Sequence, residues 1–96
     1  MIYHLVEKKL WNKVEKEYRP ESLKNEGFIH FSTKEQVDGT YQRFYANKDM
    51  YLLVVEESKL KPTLKYEEAD GMSYPHLYGP LNLDAIKEVQ DYRYNQ

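Results

Sequence analysis

A chain of 96 residues with 14 Lys+Arg against 16 Asp+Glu and no cysteine is sized for one core, and it excludes disulfide staples, thiolate nucleophiles and cysteine-held metals. Its net charge of −2 offers no bulk attraction for phosphate backbones or anionic lipid, so DNA and membrane surfaces are not expected partners. The longest strongly apolar run, Met50 to Val55, has six residues against about 20 for a spanning helix, and with no signal-peptide pattern at the start a soluble, cytoplasmic single domain over residues 1–96 is expected.

Ile2 to Val6 is rich in β-formers and reads as the first strand. Leu10, Trp11, Val14 and Tyr18 then recur at helical spacing among Glu and Lys, which predicts an amphipathic helix over Glu7 to Glu17. Pro20 cannot continue it. A short helical turn over Glu21 to Glu26 follows, with Gly27 as its stop.

Phe28 to Phe31 is a short aromatic and β-branched strand. Ser32-Thr33-Lys34-Glu35 matches a capping box with Ser32 as the cap, opening a second amphipathic helix whose apolar stripe is Val37, Tyr41, Phe44 and Tyr45. Gly39 weakens that helix, and Asn47-Lys48-Asp49 closes it. Met50 to Val55 shows no alternation, the pattern of a central strand covered on both faces.

Ser58 to Pro62 is a connection. Thr63 to Glu67 alternates, placing Leu64 and Tyr66 on one face of a strand, and Asp70-Gly71 marks a turn. Tyr74 to Tyr78 is extended, but Pro75 lacks an N–H and is expected at an edge or a strand start, with Tyr74-Pro75 open to the cis form. Gly79-Pro80 ends that piece, Asn82 caps one turn over Leu83 to Ile86, and Val89, Tyr92 and Tyr94 suggest a last strand. The sum is an α+β fold with a β core of about five to six short strands and two amphipathic helices.

The three histidines fall in Tyr3-His4-Leu5, Ile29-His30-Phe31 and Pro75-His76-Leu77, all short apolar segments. Alternation sets His4 with Ile2 and Val6, and His30 with Phe28 and Ser32, so each is expected to be partly desolvated. A neutral imidazole both donates and accepts, which suits a ligand hydroxyl or a proton relay. Ser32 shares the face of His30, though capping competes for its hydroxyl. Tyr74 to Leu81 concentrates two prolines and a glycine around His76 and Tyr78, fixing a backbone path, and Glu67 offers a nearby carboxylate. A metal site built from all three histidines is the sharper alternative, without a His-x-His or HExxH spacing behind it. A tyrosine-rich protein-interaction surface is the third reading.

Ile2-Tyr3-His4-Leu5, Trp11, Glu26-Gly27-Phe28-Ile29-His30-Phe31-Ser32, Leu52-Leu53, Glu67 and Pro75-His76-Leu77-Tyr78-Gly79-Pro80-Leu81 together resemble the bacterial domain-of-unknown-function 952 family over nearly the whole chain. That family's fold looks similar to ADP-ribosyltransferases, which hold NAD in a cleft of a split, curved β core. The resemblance implies NAD or a related nucleotide as ligand. It puts His4 where those enzymes bind the adenosine ribose, His30 or Ser32 at the nicotinamide position, and Glu67 or His76 in the late catalytic role. The expected site is therefore a histidine-lined cleft with His30, Glu67 and His76 catalytic and His4, Ser32 and Tyr78 contacting ligand.

Overall fold

The computed structural model describes residues 1–93. Among them, eight short strands form three sheets, ordered β1-β4-β8, β2-β7 and β3-β6-β5. The strands are β1 (Ile2–Glu7), β2 (Glu17–Tyr18), β3 (Ile29–His30), β4 (Met50–Val55), β5 (Thr63–Ala69), β6 (Met72–Tyr78), β7 (Leu81–Asn82) and β8 (Ile86–Asp91). Helices α1 (Lys8–Trp11), α2 (Glu21–Asn25) and α3 (Val37–Phe44) are short, and single 3₁₀ turns occupy Lys34–Gln36, Glu57–Lys59 and Leu83–Ala85. No described helix is long and apolar enough to cross a membrane.

The unalternating Met50–Val55 run is the middle strand of β1-β4-β8, antiparallel to both neighbours. Both faces of that sheet are covered. On one, Ile2, Val6, Leu53 and Val55 pack with Ile29, Phe31, Leu77, Leu81 and Tyr18 from the other two sheets. On the other, Leu5 and Met50 meet Val37 of α3, with Tyr3, Tyr41 and Leu52 alongside. Fully burying side chains of this size stabilises by about 1.5–3 kcal/mol each, and nearly all the buried apolar residues lie in this stack of helix, sheet and sheet.

The helix predicted over Glu7 to Glu17 is a correction: only Lys8–Trp11 is helical. Trp11, Val14 and Tyr18 do reach the core, but from the end of that short helix, the segment after it and a strand. Tyr18 pairs with Leu81 across β2-β7 and is buried, a tertiary gain that outweighs helix propensity worth tenths of a kcal/mol per residue. The capping box is also shifted by one residue. Ser32 still belongs to the extended chain, exchanging both backbone hydrogen bonds with Tyr3 (2.9 and 2.7 Å). The helical turn therefore starts at Thr33, whose N–H donates to the Gln36 side chain at 3.0 Å.

The Asp70-Gly71 turn joins β5 and β6 with both residues at positive φ (54° and 79°), as a two-residue hairpin requires. Pro75 is a second correction. It lies buried in the middle of β6, which is the central strand of its sheet, and the described peptide bonds are all trans. The Phe31 N–H donates to the Pro75 carbonyl at 2.9 Å, so that residue's backbone polar side faces β3 and not β5. Its missing N–H thus falls beside the end of a two-residue strand, where no ladder bond is lost to β5. Of the last predicted strand, Ile86–Asp91 is present, Tyr92 follows it, and Tyr94 lies outside the described residues.

Candidate functional site on the outer face of β3-β6-β5

Ile29 pairs with Leu77 and His30 with His76. Because Phe31 and Pro75, one step on, are joined by a backbone hydrogen bond, His30 and His76 form the non-hydrogen-bonded pair between them, the kind in which side chains approach most closely. Their rings meet edge to face at 5.4 Å between centroids. Strand alternation adds the rest of the outer face. Phe28 comes from β3's side of the sheet, Lys65 stands opposite His76 on β5, Glu67 sits diagonally from it, and Tyr78 lies two residues along β6.

Each imidazole carries a carboxylate on one nitrogen. Glu67 Oε1 is 2.8 Å from His76 Nδ1 and receives the Tyr78 hydroxyl at 2.5 Å, while Glu26 Oε2 is 2.5 Å from His30 Nε2. An ionised carboxylate only accepts, so Nδ1 of His76 and Nε2 of His30 carry the protons, and the opposite nitrogens are the basic ones. Neither has a protein partner among the described residues. Among the described residues no side-chain nitrogen without a partner is sealed from solvent, so Nε2 of His76 reaches solvent although that residue is only 7% exposed. Phe28 lies nearly parallel over the His76 ring at 4.1 Å between centroids and helps to bury it.

The Tyr78 hydroxyl and then His76 hold the Glu67 carboxyl below its usual range, and the same hydrogen bond raises the Tyr78 phenol. Both bonds land on Oε1 of Glu67, leaving Oε2 without a hydrogen-bond partner among the described residues. Lys65 Nζ lies 5.0 Å from the centre of the Tyr78 ring and brings a cation to the rim. The Glu26–His30 pair is half-exposed on both sides, and such pairs contribute only about 0–1 kcal/mol. Stability alone therefore gives little reason for two carboxylate–imidazole pairs side by side.

Of the six residues singled out in the sequence, His30, Glu67, His76 and Tyr78 come together here. His30 is desolvated only in part, in keeping with the alternation, because β3 lies at the edge of its sheet and leaves the ring half-exposed. His4 and Ser32 are elsewhere. His4 is turned into the core, its Nδ1 2.6 Å from the His30 carbonyl and its Nε2 2.7 Å from the Tyr18 hydroxyl. Burial pushes its pKa down to about 4, so it is neutral, and neither nitrogen is open to a ribose. The Ser32 hydroxyl pairs with Thr40 of α3 at 3.2 Å.

The three histidines do not converge as a metal site would need: both His4 nitrogens are bonded inside the protein, and no group of three or more described His, Asp or Glu is placed to hold a metal. Two cavities of about 630 and 380 Å³ flank α3 and are lined by Tyr41, Lys48 and Tyr92 and by Tyr3, Leu52 and Gln90 among others; neither is lined by a histidine. The histidines meet on a sheet face instead. Sequence reasoning set Phe28 on the face of His30 without giving it a role and missed Glu26 and Lys65; Glu26 caps the end of α2, where strand alternation gives no guide.

Residues 5–89 match the family described as protein of unknown function (DUF952). Two X-ray crystal structures of protein CC0527 from Caulobacter crescentus, one of them a double mutant, are similar at TM-score 0.83, with 29% and 28% identity, covering 98% of this chain and 87% of that one. No curated protein matches.

Proposed function

We propose, from the premise that this chain belongs to the DUF952 family, that the outer face of β3-β6-β5 is an acid–base site for a nucleotide related to NAD. The observation that carries it is the adjacency of His30 and His76, each oriented by a carboxylate on one nitrogen and open on the other. One imidazole accepts a proton while its neighbour, protonated, supplies one, the pairing that hydrolysis or group transfer at a sugar or phosphate requires. His76 is the general base, since Glu67 fixes its Nδ1 proton and leaves Nε2 basic. His30, once protonated, is the acid through its outward Nδ1, while Glu26 holds the proton on Nε2.

The split β core supports an ADP-ribosyltransferase-like reading of the fold. Breaking a nicotinamide–ribose bond develops positive charge at the ribose, and the open Oε2 of Glu67 offers the negative charge to meet it. Phe28 and Tyr78 present aromatic surface for a planar ring, and Lys65 suits a phosphate. The first-strand histidine departs from that scheme, because His4 is occupied inside the protein. Ribose recognition, where it occurs, falls to the rim.

Thermal unfolding with NAD, ADP-ribose and nicotinamide is the direct test. A dissociation constant of about 10 μM gives about 2.7 kcal/mol at about 1 mM ligand, a rise of several degrees for a chain of this size. Glu67→Gln and His76→Ala should abolish the rise while keeping the fold. Unchanged melting with all three compounds, or a shift that survives both substitutions, removes the proposal.

A further inference from the structure

His30's backbone carbonyl has an unusual partner. On the β6 side, hydrogen bonds come from Ile29 and Phe31, so the N–H and C=O of His30 point the other way, toward β1. There the two sheets touch through a single bridge, Tyr3 with Ser32, and the next ladder position is not filled by backbone. The His4 side chain fills it: its Nδ1 lies 2.6 Å from the His30 oxygen.

Hydrogen-bond direction along this seam is fixed by chemistry. A carbonyl only accepts, so His4 Nδ1 carries the proton. In a neutral ring Nε2 must then accept, and the Tyr18 hydroxyl donates to it at 2.7 Å. Tyr18 in turn is held by the edge of Trp11 at 5.7 Å, and Phe31 and Tyr18 close on the His4 ring at 5.3 and 5.2 Å. The result is a one-way chain from β2 through β1 to β3, crossing all three sheets, and it ends on the peptide of the residue whose side chain faces His76.

We infer that His4 and Tyr18 are positioning residues for the candidate site, setting the place of β3 so that the His30 ring sits against His76. This rests on the reading of the outer face as a site, but it concerns the geometry of the ligand-free protein and can fail separately. A histidine that only filled space would need no polar contact, and an apolar side chain would serve that end without leaving a buried donor to satisfy. Here both nitrogens are matched, and the acceptor is the backbone of a site residue rather than one elsewhere in the core.

The test uses the full chain without ligand and three variants. His4→Asn keeps a donor near the Nδ1 position, His4→Leu removes both polar contacts, and Tyr18→Phe removes only the hydroxyl. The readout is the set of ring-to-ring nuclear Overhauser contacts between His30 and His76, with the ring-current shift that Phe28 imposes on His76, followed in imidazole-labelled protein. We expect His4→Asn to retain both signals and His4→Leu to lose the His30–His76 contacts. Tyr18→Phe should displace the His30 resonances while leaving the protein folded. Should His4→Leu fail to fold, the Asn and Phe variants decide. Wild-type His30–His76 signals in Tyr18→Phe and in whichever His4 variants fold, with only the melting temperature lowered, would make the pair purely structural and overturn the inference. Ligand-induced stabilisation of the wild type is measured apart from this, so a site without nucleotide affinity and a site without this support give different results.

Discussion

Two histidines nine-tenths hidden from solvent do opposite things, and the difference lies in where their nitrogens point. His76 spends one on Glu67 and keeps one for solvent. His4 spends both inside and is neutral, with a pKa near 4. The unfolded chain binds a proton at His4 below about pH 6.5, whereas the folded chain resists until about pH 4. Stability is therefore complete above the unfolded value and is lost as pH falls through that window, by on the order of 3 kcal/mol. Denaturant titrations between neutral pH and pH 4 should show this fall, and His4→Asn should flatten most of it. Glu67 acts in the same direction lower on the scale, because its depressed pKa favours the fold only while it is ionised. From the sequence, the company of Pro75, Tyr78 and Gly79 was enough to single out His76. Nothing in Tyr3-His4-Leu5 could show that Tyr18, fourteen residues on, would occupy the second nitrogen.

Short elements were legible where a single residue dictates them. Asp70-Gly71 specified the β5–β6 hairpin, and Gly27, at φ 88°, ends α2 as expected. Elements whose fate depends on distant partners were not: α1 stops after one turn because Tyr18 is needed in β2, and the 3₁₀ turn that leads into α3 is capped one residue late, at Thr33, because Ser32 is needed against Tyr3. Two glycines give a paired prediction. Gly79 has φ 152°, and a Cβ there would lie 2.8 Å from Cβ of Pro62, so Gly79→Ala should cost about 1–3 kcal/mol. Gly39 lies inside α3 with open space around it, so Gly39→Ala should stabilise by about 0.5–1 kcal/mol. Urea midpoints of the two variants, moving in opposite directions, check both.

Across the whole molecule, covering on both sides sets the order of local stability. β4 is flanked by β1 and β8 and packed on two faces, so the amides of Leu53 to Val55 should exchange hydrogen slowest, while those of α1 and α2, neither of which has a buried residue, should exchange far faster. Mass-spectrometric exchange would expose a different order. The α+β class and the central place of Met50–Val55 were readable from apolar patterning alone. The division of the β core into three small sheets was not, because it depends on pairings between residues dozens of positions apart. Pro75, held mid-strand, has a bearing on how this arrangement stays unique. If β6 slid by one residue against β5, the proline nitrogen would turn toward a strand that demands a donor from it, and every side chain of β6 would exchange faces. The ring thus works as an indexing pin: it makes the slipped pairing costly and so keeps Glu67, His76 and Tyr78 on a common side.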